Sequence, residues 1–211
     1  MNNPIFARVL ARAAELEDRR GGAEFRRRLL AGLSGRVLEI GPGNGVSFGY
    51  YPKEVIELVA VEPEPHLRGL ATDAARTAPV PTRVIDGSAD ELPVEDGSFD
   101  AVVVAGVLCS VPDQRRALAE ITRVLKPSGQ LRFFEHVAAR GRRLARFQDL
   151  LDATVWPPMM GGCHPNRDTE AELLAAGFTL DWRERMSFRP TPVSIPVAPR
   201  ILGAARPQTG G

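Results

Sequence analysis

The segment Arg36–Gly45, RVLEIGPGNG, limits what this chain can become more than any other stretch. Val37 to Ile40 is a short apolar run that predicts a buried strand, and it passes directly into Gly41-Pro42-Gly43-Asn44-Gly45. A glycine-rich turn at the carboxyl end of a strand brings bare backbone N–H groups close to a ligand, because glycine has no side chain in the way. In a doubly wound α/β sheet, that turn lies at the crevice where ligands bind. An ordinary βα loop without a ligand is the plainer reading of the same residues.

The spacing narrows the ligand. The dinucleotide pattern is G-x-G-x-x-G, whereas the glycines here fall at 41, 43 and 45, with Val at 46. Glu39 stands two positions before the first glycine. A carboxylate there repels a pyrophosphate and suits a cationic ligand. Glu39, Gly41, Gly43 and Gly45 are therefore candidate cofactor-binding residues.

Beyond the glycine turn the chain alternates strand and helix. Val46–Tyr51 predicts a short helix ended by Pro52. Leu58–Val61 predicts a second buried strand that ends at Glu62, 21 residues after Gly41. An acidic residue about 20 positions on is placed to accept hydrogen bonds from both ribose hydroxyls of a nucleoside. Glu62 also precedes Pro63-Glu64-Pro65, so an acid at a helix N-terminus is the alternative. A helix is predicted over His66–Thr77 and strands over Thr82–Ile85 and Phe99–Val104. Asp113 caps a helix over Gln114–Leu125. Lys126–Gly129 reads as a turn, and Gln130–Phe134 as a fifth strand running into Glu135-His136-Val137.

Residues 138–157 are basic and helical, and the loop to His164 mixes bulky apolar residues with glycine. Asp168 caps a helix over Thr169–Ala176, which Gly177 ends. Phe178–Trp182, Arg185–Phe188 and Arg200–Ala205 are the last strand material. The pattern is an α/β sheet with an antiparallel edge strand. Ahead of it, residues 3–34 are amphipathic and Arg-rich, with Phe6, Val9, Leu10, Ala13 and Leu16 on one face and a break at Gly21-Gly22. A solvated helical face is one reading of this arm and a lid over the crevice is the other. The expected organisation is an arm over 1–34, an α/β domain over 35–205 and a mobile tail over 206–211.

Composition excludes several classes. With 211 residues, 44% hydrophobic and 25% charged, the chain is long enough for one α/β domain with a substantial core. A net charge of +1 implies no strong field for nucleic acid or a membrane surface. Cys109 and Cys163 form neither a C-x-x-C pair nor a zinc spacing, so no metal site is expected and a reducing compartment is the simpler reading. No apolar run approaches the length of a membrane span, and no secretory leader is evident. The expectation is a cytoplasmic protein with no nucleic-acid partner and no membrane anchor.

The order E-x-G-x-G-x-G, terminal Glu62 and Leu125-Lys126-Pro127-x-Gly129 resembles the class I S-adenosylmethionine-dependent methyltransferases. A closer likeness is to the methyltransferase-like family of animal thiol S-methyltransferases. Its carriers are Tyr51-Pro52, Pro63-x-Pro65-His66, Val107-Leu108-Cys109-Ser110-Val111, Glu135-His136-Val137, Gly162-Cys163, Arg167-x-Thr169 and Pro199-x-Ile201-x-Gly203. The resemblance spans roughly residues 36–204 and implies a Rossmann-like, seven-stranded, mostly parallel sheet with helices on both faces. It implies S-adenosylmethionine as cofactor and a small-molecule acceptor, possibly a thiol. It also implies a contact with the adenine from the loop after the third strand, where Ser88 holds the usual acid position, Asp90 is the alternative and Ala89 offers its backbone. Val104 closes the fourth strand on the cofactor side. The animal members carry an apolar N-terminal anchor, which the charged arm here replaces.

A thiol acceptor has to lose a proton, and an ordinary thiol has a pKa of about 8.5. His136 and His164 are the candidate base or thiolate stabiliser, with plain structural hydrogen bonding as the alternative for each. His66 falls nearer the ribose and adenine end. Cys109 reads as a small buried thiol, since direct methyl transfer needs no covalent nucleophile. O-, N- or C-methylation, nicotinamide-dependent oxidation and cofactor binding without turnover are the competing functions.

Overall fold

The computed structural model describes residues 4–208, with side chains from Ala7 onward, so the side chain of Phe6 in the arm and residues 209–211 of the tail lie outside the described residues. Seven strands make one sheet: β1 (Gly35–Ile40), β2 (Val55–Val61), β3 (Thr82–Ile85), β4 (Phe99–Ala105), β5 (Leu125–His136), β6 (Phe178–Ser187) and β7 (Pro199–Pro207). Their order is β3-β2-β1-β4-β5-β7-β6. The first five run parallel, and β7 runs against both β5 and β6. The antiparallel strand thus sits one in from the edge, with β6 outermost.

The inner strands are apolar throughout because both faces are covered. Leu38, Val59, Val102 and Leu131 point into one core, shared with Leu118 and Ile121 of a helix. Val37, Leu58, Ala101 and Val103 point into the other. The helices are α1 (Pro4–Glu17), α2 (Ala23–Leu30), α3 (Pro65–Ala75), α4 (Gln114–Val124), α5 (Arg142–Asp152), α6 (Trp156–Met159) and α7 (Thr169–Ala175). Asp113 caps α4 through the N–H groups of Arg115 and Arg116, and Asp168 caps α7 through Ala171.

Several elements depart from the sequence pattern. No full helix follows the glycine turn, which has only a single 3-10 turn over Phe48–Tyr50. Phe48 and Tyr51 pack there against Leu29 and Leu30 of α2, so the arm supplies a layer that a crossover helix would otherwise form. The turn expected at Lys126–Gly129 is a bulge inside β5: Leu125 pairs with Phe99, and Gln130 with Ala101. The two strand pieces expected over 178–188 are one strand, β6, with a register slip between Leu180 and Trp182. Arg206 and Pro207, assigned to the tail from the sequence pattern, pair with Thr179 and Phe178 in the sheet.

Candidate active site

The sheet order reverses between β1 and β4, and in such sheets the crevice beyond the carboxyl ends at that point receives the ligand. The glycine turn leaves β1 there. Gly41 donates its N–H to Val61 O at 2.9 Å, which ties the turn to β2. Gly41, Gly43 and Gly45 all have left-handed backbone, with φ of 65°, 61° and 77°. A Cβ on Gly41 would come within 2.7 Å of Val107 Cγ2 beyond β4, whereas one on Gly43 meets nothing within 4 Å. Gly41 is therefore needed for packing, and Gly43 leaves open space at the crevice. Gly106, beyond the end of β4, leaves open space as well.

Glu62 stands at the end of β2 with its carboxylate against the turn. It accepts from Gly43 N and from Glu64 N, each at 3.0 Å. Burial raises its pKa, offset in part by these two N–H groups. Glu39 is oriented differently. Its oxygens accept from Ser47 Oγ at 2.7 and 2.9 Å and from Tyr51 OH at 2.9 Å, inside the turn. Burial pushes the Glu39 carboxyl up and the Tyr51 phenol well up. The geometry thus gives Glu39 the work of bracing the turn from within.

Beyond β3, Ser88 is exposed, Ala89 is buried and the two are part of a tight loop bridged from Ser88 to Glu91. Asp90 Oδ1 is buried without a hydrogen-bond partner, as is Asn44 Oδ1 in the glycine turn. Unpartnered buried acceptors are costly unless a ligand satisfies them. Val104 is fully buried in the core, so only its backbone can face the crevice. Open space at Gly43 and Gly106, the Glu62 carboxylate and two orphaned acceptors together fit a nucleoside-bearing cofactor such as S-adenosylmethionine.

The acceptor end is built by β4, β5 and the loops after them. Glu135 is fully buried and grips the segment after β4, accepting from Val107 N at 2.9 Å and Cys109 N at 3.3 Å. Arg167 Nη1 donates to Leu108 O and Val111 O, each at 2.7 Å. Gln148 of α5 is fully buried and donates to Pro165 O and Pro196 O at 2.8 Å. These three side chains fix one loop cluster. Sequence reasoning left them out of the site, although Glu135, a buried acid closing a strand, was a visible signal.

His136 and His164 lie in this cluster with different partners. His136 Nδ1 is 3.7 Å from Cys163 Sγ. His164 Nδ1 is 2.8 Å from Asp152 Oδ1, and His164 N donates to Cys109 O at 2.8 Å. The two cysteines, free and buried, meet here. Neighbouring Cys109 and then His136 pull the Cys163 thiol below its ordinary value, while Cys163 and burial push Cys109 well up. His66 sits in the first turn of α3, just past Glu62.

The arm makes contacts with α3, the glycine turn and β7. Ala7 and Ala11 pack on Leu67 of α3, and Asn44 Nδ2 donates to Ala11 O at 3.3 Å. Tyr50 OH donates to Asp18 Oδ2 at 2.6 Å. At the far side, Arg200 of β7, the register partner of His136, binds Glu17 at 2.6 and 3.1 Å. Gly21, with φ of 113°, lets the chain turn between α1 and α2.

A strand order of β3-β2-β1-β4-β5-β7-β6, with a glycine turn and a carboxylate at the switch point, is the architecture that the resemblance to the class I S-adenosylmethionine-dependent methyltransferases implies. The methyltransferase domain family matches residues 38–133. A solved S-adenosylmethionine-dependent methyltransferase from Thermotoga maritima, described as a possible histamine N-methyltransferase, superposes with a TM-score of 0.68 at 22% identity, covering 95% of this chain and 97% of that one. Human thiol S-methyltransferase TMT1B is 36% identical over 183 residues, 83% of this chain and 73% of that protein. Human thiol S-methyltransferase TMT1A is 34% identical over 184 residues, 83% and 72% respectively. The chain belongs to the methyltransferase family that contains these two proteins. Among the described residues, no helix is long and apolar enough to cross a membrane.

Proposed function

We propose that this protein transfers the methyl group of S-adenosylmethionine to the sulfur of a small thiol. The likeness to the thiol S-methyltransferases carries the reading. A match over 83% of a 211-residue chain necessarily takes in the acceptor-side segments at Cys109, His136 and Cys163-His164.

In this reading Gly43 and Glu62 hold the cofactor's amino-acid and ribose parts, with Gly41 and Gly45 shaping the turn and Glu39 bracing it. Ala89 and Asp90 face the adenine, with Ser88 beside them at the loop surface, and the Val104 backbone leads into the acceptor side. The cofactor supplies a methyl group made electrophilic by its sulfonium. The protein's share is alignment in a dry crevice, which can contribute on the order of 7–11 kcal/mol. The arm, through its described residues 4–34, acts as a lid that excludes water from the crevice of the 35–205 domain. His164, held at Nδ1 by Asp152, presents Nε2 to the acceptor's proton. His136 faces the acceptor sulfur from the end of β5. A cytoplasmic site of action fits the two free cysteines, and a net charge of +1 gives no pull toward nucleic acid.

The test is release of S-adenosylhomocysteine when the purified protein is given S-adenosylmethionine with, in parallel, an alkyl thiol, a phenol, an amine and a carboxylate. Turnover with the thiol alone is expected. Turnover with another acceptor and none with the thiol would discard the assignment while leaving the cofactor site in place.

A further inference from the structure

Cys109, His136 and Cys163 come from three separate segments, the loop after β4, the end of β5 and the loop after α6. Their Sγ and ring nitrogen atoms all lie within 4.8 Å of one another. A tetrahedral zinc ion, with Zn–S of about 2.3 Å and Zn–N of about 2.0 Å, holds such atoms about 3.5–3.8 Å apart. The His136 Nδ1 to Cys163 Sγ distance is already 3.7 Å. Both cysteines are buried and His136 is half-buried, so the cluster is closed on the cysteine side and accessible at the histidine.

The surroundings suit thiolates. Trp156 packs against the cysteines, and its indole N–H is buried with no hydrogen-bond partner. An N–H left free for a thiolate is the kind of outer contact that stabilises a metal-bound sulfur. The loop positions of both cysteines are fixed from behind, Cys109 by Glu135 and Cys163 through the His164 N to Cys109 O hydrogen bond.

We propose that Cys109, His136 and Cys163 bind one zinc ion, and that its fourth position takes the acceptor thiol. Three protein ligands with one open position is the arrangement of a catalytic rather than a structural zinc. The inference rests on the thiol reading above. The incoming thiol displaces a zinc-bound water and gives its proton to solvent. Its sulfur lone pair forms the new S–CH3 bond as the methyl–sulfonium bond breaks, and that electron pair stays on the cofactor's sulfur. The product thioether is neutral and leaves the metal, whose oxidation state is unchanged throughout. A coordinated thiol is deprotonated outright. A free thiol of pKa about 8.5 is only about 3% thiolate at pH 7, so the gain in nucleophile is roughly thirtyfold.

The experiment is metal analysis of the tag-free protein purified without chelator, followed by chelation and titration of the stripped protein with cobalt(II). One zinc per chain is expected, and one cobalt should give a sulfur-to-cobalt charge-transfer band that shifts when an alkyl thiol is added. Cys109→Ser and Cys163→Ser should each lose the band while binding S-adenosylmethionine as the wild type does, which shows that they fold. Stripping should lower thiol methylation about thirtyfold at pH 7. Stripped wild-type protein that binds S-adenosylmethionine but gives no cobalt band would overturn the site, as would full thiol turnover without metal. That last result would leave the thiol reading standing. A metal-loaded protein that binds thiols yet transfers methyl only to another acceptor would overturn the thiol reading and the metal's role in it.

Discussion

Glu17 and Arg200 form a two-pronged ion pair at 2.6 and 3.1 Å, between the last residue of α1 and the second residue of β7. The guanidinium is also sandwiched between the rings of Phe134 and Phe188, at 5.0 and 5.1 Å. Burial pushes the Glu17 carboxyl up, but the charge and hydrogen bonds of Arg200, with help from His136 and Arg26, hold it below the usual range. This pair ties the arm to β7, at the register partner of the His136 that closes β5.

Removing one partner of a buried pair strands the other charge, at a cost of about 3–5 kcal/mol. Glu17→Ala should lower the melting temperature and expose the amides of α1 to hydrogen exchange while β1 and β4 stay protected. If α1 exchanges at the wild-type rate in this variant, the pair does not fasten the arm.

The glycine turn allows a matched comparison. Gly43 and Gly97 both have positive φ, 61° and 55°, and a Cβ on either meets nothing within 4 Å. Replacing either by Ala should cost a similar 1–2 kcal/mol or so of left-handed strain. Only Gly43→Ala should weaken S-adenosylmethionine binding, by about tenfold or more in isothermal titration. Equal affinity in the two variants would place the cofactor elsewhere.

Glu62→Ala should weaken S-adenosylmethionine binding by roughly 10- to 100-fold, the loss of hydrogen bonds to a charged group at about 1.5–3 kcal/mol. An unchanged dissociation constant would leave Glu62 with only the N–H groups of Gly43 and Glu64.

How much of this could be read from the sequence depended on how local the signal was. Val37–Ile40 and Phe99–Val104 were legible because strands covered on both faces are apolar without interruption. Gly41, Gly43 and Glu62 were legible because a positive φ and an acid closing a strand leave a mark on one or two residues. The inner place of β7 was not, since strand pairing is set by packing and not by order along the chain. Glu39 reads in the sequence as facing a cationic ligand, and its partners Ser47 and Tyr51 are not legible there, because they reach it only through the short 3-10 crossover. The meeting of Cys109, His136 and Cys163 was hidden for a similar reason. Linear metal motifs show ligands that are close in sequence, and these are joined only by the adjacency of β4 and β5 and the loop after α6.

Glu39 gives a pH prediction. Its folded carboxyl sits above the ordinary value because burial outweighs the hydrogen bonds from Ser47 and Tyr51. Below the unfolded pKa of about 4.3, both states are protonated and the group's contribution is complete. As pH rises through the folded pKa, the unfolded state binds fewer protons than the folded one, so stability is lost. The melting temperature of the wild type relative to Glu39→Gln should therefore be most favourable near pH 4 and decline toward neutrality. A difference that stays flat or grows with pH would show that the carboxylate is favoured in the fold.

Methyl transfer to sulfur from a crevice between β1 and β4 is tested most directly by competition. The wild-type protein is offered S-adenosylmethionine labelled in its methyl group, together with an alkyl thiol, a phenol and an amine at equal concentration in one vessel. Mass spectrometry then locates the label. Labelled methyl thioether, formed one for one with S-adenosylhomocysteine, is the expected result. Label on oxygen or nitrogen, with the thiol left unmethylated, would contradict transfer to sulfur.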